Sequence, residues 1–297
     1  MRRSDLLFRS DNRPTRAFAA FLTDTGIPGE TLDQINEALQ NRFIRKVGGV
    51  AVERWEREKV AVGCPWPRFR LHAWRCGFYA QTHPSRDSYD RAGWPGALLP
   101  RAAIRLIDLI DAWTAGVRWT ENVVFGGKRV IIPARENPKA ARENLDLRPL
   151  ALRSRDEGEG LVLADGTKAG DEFGILKWLW GGAQIPAEMR ALPTTFVDAP
   201  MKPPAVEGGR EVRPNTEDPA VHWLASDPAP GTILISSGAP YGPAQDEAFW
   251  MILGPHEHEI ETFGHGCPPA MEKDQDMDAI MREVAGAVYR IKRARAS

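Results

Sequence analysis

Several things are scarce in this sequence, and each scarcity narrows the reading. There are three cysteines, Cys64, Cys76 and Cys267. No two have the close spacing of a zinc knuckle, and three thiols make no disulfide framework. A reducing compartment is the natural setting for such a chain. No apolar run approaches the ~18 residues needed to span a bilayer. The opening "MRRSDLLFRSDNRP" is positively charged but has no apolar core of signal-peptide length, so the expected location is cytoplasmic. An excess of one charge is also missing: 39 Lys and Arg stand against 40 Asp and Glu, a net −1. Nucleic acids and anionic membranes both call for a concentrated basic surface, so neither is an expected partner. The one basic cluster, "YRIKRARAS", reads as a solvated helix end whose cations favour the C-terminal dipole. Internal repeats are absent as well.

What remains is the composition of an ordinary globular protein, 42% hydrophobic and 27% charged over 297 residues. That length suits one large domain or two ordinary ones. Residues 13–60 read as helical. Phe18, Phe21 and Leu22 have helical spacing before a stop at Gly26, and Thr31 is placed to cap a second helix that runs on from there. Residues 63–100, rich in Pro, Trp, Arg and Gly, lack periodicity and read as loops with short extended pieces. Residues 101–114 form an amphipathic helix, with Ile104, Ile107, Leu109 and Ile110 on or near one face.

From about residue 115 the pattern changes. The strand-like segments "ENVVFGGKRVII", "PTTFVDAPM", "GTILISSGAPY" and "EIETFGHG" alternate with the helix-like "GDEFGILKWLWGGAQIP", "NTEDPAVHWLAS", "GPAQDEAFWMIL" and "DMDAIMREVAGAVYRIKRAR". Such alternation predicts an α/β fold, a Rossmann-like three-layer sandwich with a mostly parallel sheet. The expected division is a helical, Trp/Arg-rich N-terminal region over 1–114 and the α/β domain over 115–297. Trp178, Trp180, Trp223 and Trp250 sit at helical spacings and read as core.

Ligands of open parallel sheets bind beyond the carboxyl ends of the strands, and three loops qualify by position. In 126–129, Gly126 and Gly127 would let a ligand approach the backbone, while Lys128 and Arg129 would meet a phosphate or carboxylate. The alternative is a β-bulge or tight turn with solvated cations. In 198–218, Asp198 closes a strand, Asn215 or Thr216 caps a helix, and Glu217 and Asp218 occupy its first turn. Capping alone accounts for the two acids; holding a ligand hydroxyl or acting as a general base is the functional reading. In 236–245, Ser236, Ser237 and backbone N–H groups near Gly238 suit an anion at a helix N-terminus, with Tyr241 and Gln245 in reach. The segment is not a G-x-S-x-G nucleophile elbow. His265 follows the last strand and lies at the same edge. His256 and His258 lack a catalytic zinc spacing and read as solvated, so no metal site is expected.

Taken in order, "VVFGGKR" (123–129), "TTFVDAP" (194–200), "NTEDPAVHWL" (215–224), "GTILISSGAPYGPAQDEAF" (231–249), "IETFG" (260–264) and "MREVAGAVYRI" (281–291) resemble the SanA/YdcF-like family, domain of unknown function 218. The resemblance covers about residues 117–295 and has no counterpart for 1–100. Asp218 stands where the family has Asn, and "APYGPAQ" replaces a loop that usually carries His and Arg. The resemblance implies the fold and a site at the sheet edge more than a reaction. Residues and resemblance together predict a protein that binds a nucleotide-like or phosphorylated small molecule, with hydrolysis or group transfer to follow. The cofactor is not predicted. One alternative is an S-adenosylmethionine binder, with Asp198 on a ribose hydroxyl. Another is a non-enzymatic protein whose N-terminal region meets a partner, since aromatics and Arg favour interfaces.

Overall fold

A computed structural model of the chain describes residues 2–44, 46–47, 50–51, 59–131, 169–204, 211–267 and 276–296. These fall into two compact units. Unit 1 comprises residues 1–82, 238–251 and 264–297, and unit 2 comprises 83–237 and 252–263.

Unit 1 is helical. It holds α1 (Arg16–Asp24), α2 (Leu32–Phe43) and α3 (Trp66–Arg75). Thr15 and Thr31 cap the first two by accepting the N–H groups of Phe18 and Gln34, which satisfies donors that a helix start leaves open. The helical reading of residues 13–60 ends at Phe43. Beyond it, β1 (Lys46–Val47) and β2 (Val50–Ala51) pair antiparallel. The β-branched Val47 and Val50 favour a ladder over a continued helix. The rest of that segment up to residue 58 lies outside the described residues. The core of unit 1 is built from Phe8, Phe18, Phe21, Ile35, Leu39 and Phe69 with Ile280, Val284 and Val288.

Unit 2 holds the sheet. Its strands are β3 (Arg91–Pro95), β4 (Glu121–Gly127), β5 (Thr194–Ala199), β6 (Thr232–Ser236) and β7 (Glu259–Phe263), in the order β5-β4-β3-β6-β7. Every pairing is parallel. Helices α4 (Leu99–Thr114) and α5 (Glu172–Gly182) cover one face, where Ala92, Trp94, Val124 and Leu234 join Leu106, Leu109, Ile175 and Leu179 in one core. The short α6 (Ala187–Arg190) leads into β5. On the other face α7 (Glu217–Leu224) sets Trp223 edge-on to Phe125, ring centroids 5.9 Å apart. This is the expected three-layer α/β arrangement. Helix α8 (Gly242–Leu253) begins in unit 1 and ends in unit 2, and α9 (Asp276–Ala296) belongs to unit 1 and packs on α2.

Two boundaries differ from the sequence reading. The sheet begins at Arg91, inside the stretch read as loops, and α4 belongs with it rather than with an N-terminal region. The strand "RAGWP" was missed because both faces are covered by helices, which removes the alternation of a half-exposed strand. Conversely α9 buries its apolar face in unit 1. Residues 66–75, also read as loop, form α3; Pro65 and Pro67 lie at its start, where proline is tolerated. Among the described residues no helix is long and apolar enough to cross a membrane.

His258, read as solvated, is buried at the start of β7 against the Trp223 ring, 5.3 Å between centroids. Its ring nitrogens make no hydrogen bond to the described residues. Burial, and the nearby Arg91 guanidinium, hold its pKa below the usual 6.5. The unfolded chain therefore binds a proton that the folded chain resists, so this contribution to stability is complete above pH 6.5 and lost as pH falls below it. Denaturant titrations at pH 7.5 and 5.5 should show wild type losing more stability than His258→Leu, the difference being at most about 1.4 kcal/mol per pH unit for one proton.

Candidate functional site

The order of the strands singles out one edge of unit 2. The chain runs β3, β4, β5 outward in one direction, then returns to the other side of β3 for β6 and β7. The reversal lies between β3 and β6, and in open parallel sheets the crevice beyond the carboxyl ends at such a point receives the ligand. The groups at this edge come from the ends of β3, β4, β5 and β6 and the helix starts that follow.

Lys128 and Asp198 are the most exposed functional pair there. Lys128 follows β4, and its Nζ lies 2.6 Å from Asp198 Oδ2 at the end of β5 and 3.3 Å from Asp171 Oδ2 at the cap of α5. Register puts Asp198 beside Gly126, so the two strand ends deliver the pair together. The Asp198 and Asp171 carboxylates hold the Lys128 ammonium above its ordinary pKa, so it stays a cation and not a base. An ammonium has three N–H donors, and these contacts use two. Asp198 Oδ1 is sheltered from solvent and takes no hydrogen bond from the described residues. A sheltered acceptor of that kind is a site where a ligand donor gains the most.

Gly126 and Gly127 are not an open cradle. Both belong to β4, and Lys128 N–H already donates to Ala199 O at 3.0 Å. A Cβ at 126 would come 2.9 Å from Leu176 Cδ1, and one at 127 only 2.5 Å from Pro214 Cγ. Close packing of neighbouring segments, not ligand approach, requires glycine at both.

Arg129 is buried rather than offered to a ligand. Its Nε lies 3.0 Å from Glu172 Oε2, and its Nη2 donates to Ala97 O at 3.1 Å. Arg105, buried on α4, donates to Pro95 O at 2.8 Å and Gly96 O at 2.9 Å. Glu172 lies against Gly96, where any Cβ would overlap its carboxylate. Burial raises the Glu172 pKa, and Arg129, then Arg213 and Arg105, oppose that rise. Neither Arg105 nor Glu172 stood out from sequence. The usable signal for Arg105 was a charge set among the apolar positions of an amphipathic helix. For Asp171 and Glu172 it was the pair of acids at a helix start, where Asp171 Oδ1 accepts Gly174 N–H at 2.8 Å.

Asn215 and Asp218 cap α7. Asn215 Oδ1 accepts Glu217 N–H at 2.7 Å, and Asp218 Oδ2 accepts Asn215 N–H at 2.6 Å and pairs with Lys202 Nζ at 2.7 Å. Thr216 occupies the cap position with no side-chain cap bond. The capping reading accounts for Asp218. Glu217 is half-buried in the same turn.

The loop 236–245 also differs from expectation. Ser236 and Ser237 are buried. Ser236 Oγ donates to Asp108 Oδ2 at 3.4 Å, and Ser237 N–H to Phe263 O at 2.7 Å. Gly238, Tyr241, Gln245 and His265 belong to unit 1. There Ala239 N–H donates to His265 O at 2.8 Å, Tyr241 N–H to Gly238 O and Gln245 N–H to Tyr241 O. A Cβ on Gly238 would sit 2.5 Å from the His265 ring. The backbone N–H groups of Ser237, Ala239, Tyr241 and Gln245 are therefore taken by the protein itself. Of the residues chosen from sequence, the structure brings together Gly126, Gly127, Lys128, Asp198 and the 215–218 turn.

No cluster of three or more metal-ligating side chains occurs among the described residues. Comparison with known proteins gives no matching family model, no matching curated protein and no matching solved structure.

The buried pair yields a stability prediction. Arg129→Met strands the Glu172 carboxylate and should cost about 3–5 kcal/mol in denaturant titration. Arg129→Met combined with Glu172→Leu should recover most of that loss, because replacing a whole buried pair with apolar side chains is far milder than breaking it.

Proposed function

We propose that unit 2 binds a small phosphorylated or nucleotide-like molecule beyond the carboxyl ends of β4 and β5, on the same edge of the sheet as the reversal between β3 and β6. The observation that carries this is the Lys128–Asp198 pair, half-exposed, with one ammonium N–H and one sheltered carboxylate oxygen not taken by hydrogen bonds or ion pairs among the described residues, the Phe173 ring lying 5.6 Å from the ammonium. An anionic oxygen would take the third N–H of Lys128, displacing the looser Asp171 contact if it needs more room. A hydroxyl next to that anion would donate to Asp198 Oδ1. A sugar phosphate or the ribose-phosphate part of a nucleotide carries both groups at that separation. The adenosine ribose of S-adenosylmethionine would satisfy Asp198 but leave Lys128 unanswered, so the phosphorylated ligand is the better match.

Kinship with the SanA/YdcF-like family is part of this proposal. It is supported by where the resembling segments fall: "VVFGGKR" ends β4, "TTFVDAP" forms β5, "NTEDPAVHWL" caps and builds α7, and "GTILISS" is β6. A cytoplasmic setting is supported by three cysteines, none of them in a disulfide. Burial pushes the Cys76 thiol up to about 12, which keeps it protonated and unreactive.

A thermal-shift screen against ATP, ribose 5-phosphate, inorganic phosphate and S-adenosylmethionine tests the reading. Ribose 5-phosphate or ATP should stabilise wild type by about 2.7 kcal/mol at a hundredfold excess over its Kd. Lys128→Ala should weaken binding of every phosphorylated probe. Asp198→Asn should weaken the hydroxyl-bearing probes about 10- to 100-fold and inorganic phosphate far less, as expected for loss of a charge-assisted hydrogen bond. Stabilisation by S-adenosylmethionine alone, or by none of the four, would overturn it.

A further inference from the structure

Helix α3 carries an unusual outer face. Leu71 and Trp74, three residues apart and so neighbours on the helix, are 46% and 58% exposed. Trp74 is the most exposed tryptophan among the described residues. The helix has no acidic residue, and its exposed cations are Arg68, Arg70 and Arg75. Arg68 is committed to Asp24, with a second bond at 2.7 Å from its Nη2 to Oδ1. Arg75, beside Trp74, makes no ion pair among the described residues.

Unit 1 also carries a surface of the opposite character. A shallow groove of about 560 Å³ runs along the start of α2, lined by Pro28, Gly29 and Ala38 together with Glu30, Gln34 and Glu37. Its two carboxylates are exposed and make no ion pair among the described residues, and its lining contains no cation. Glu30 lies just before the cap Thr31 and Glu37 within α2, and both line the groove together with Gln34.

We propose that these two surfaces belong together and that the protein self-associates. Trp74 of one copy enters the groove on α2 of a second copy, and Arg75 meets Glu37 at its rim. The charges favour a second copy as the occupant. The groove is acidic where the knob is basic, and the chain as a whole, at net −1, has no general charge that would attract a polyanion to α3. An exposed Trp flanked by Arg is also the side-chain pattern that dominates the energy of protein interfaces. A knob on one surface and a groove on another allows either a reciprocal pair or a head-to-tail chain; both raise the mass above that of one copy. This inference stands apart from the ligand site of unit 2.

Sedimentation velocity and light scattering over a wide concentration range test it. Wild type should rise above the 33.0 kDa of one chain as concentration increases, and should fall back in high salt. Trp74→Ala should stay at one chain's mass throughout, with unchanged circular dichroism because the residue is exposed. Arg75→Glu and Glu37→Arg should each weaken association at least tenfold, and the two together should restore it. A wild type that remains at 33.0 kDa at every concentration overturns the proposal. So does association that survives Trp74→Ala, or single charge reversals that the double reversal fails to rescue. Capture of a monomeric wild type by phosphatidylglycerol vesicles through Trp74 would also overturn it, assigning the face to a lipid surface instead.

Discussion

Three carbonyl oxygens at the end of the central strand set the terms for unit 2. Pro95, Gly96 and Ala97 leave β3 in the middle of a sheet that is covered on both faces, and their oxygens cannot reach water freely. Arg105 from α4 and Arg129 from the end of β4 donate to them. Two buried guanidiniums then need a counter-charge, and Glu172 at the start of α5 supplies it. One obligation, the satisfaction of buried backbone acceptors, thus ties together β3, β4, α4 and α5. It also explains why residue 96 is glycine: the carboxylate occupies the space of a side chain.

The same obligation shapes the candidate site. With Arg129 drawn inward, Lys128 is the member of that basic pair left at the rim, and the acids around it decide what it can do. Asp171 divides its two oxygens between capping α5 and Lys128. Asp198 faces Lys128 with one oxygen and leaves the other sheltered. The neighbours Lys128 and Arg129 have separate fates just past the end of β4, one held by Asp198 and Asp171 at the rim and the other by Glu172 and Ala97 inside, although the sequence shows them as one basic pair.

Much of the architecture was legible beforehand. Five of the segments read as helices from Gly126 onward or just before it, and four of the five strands, are where periodicity placed them. Thr31 caps its helix as expected, and Asn215 with Asp218 builds the predicted cap of α7. The strand Arg91–Pro95 was hidden because it is short, contains Gly and Pro, and is buried on both sides. The site was legible by location more than by role. Lys128 and Asp198 lie at the sheet edge as predicted, whereas the glycines, Arg129 and the 236–245 loop were read as ligand groups and are occupied by the protein itself.

Local chemistry, which acts over a few residues, was within reach of the sequence by itself: which segments are helices or strands, where helices start, and that the sheet is parallel. These follow from periodicity, capping geometry and composition, all of them short-range properties. Only the tertiary structure decided that the closing helix joins the N-terminal helices, that the first strand lies upstream of the expected boundary, and that Glu172, not a ligand, answers Arg129. Those outcomes depend on contacts between residues tens to hundreds of positions apart, where the competition for each buried polar group is settled by packing that no local pattern records.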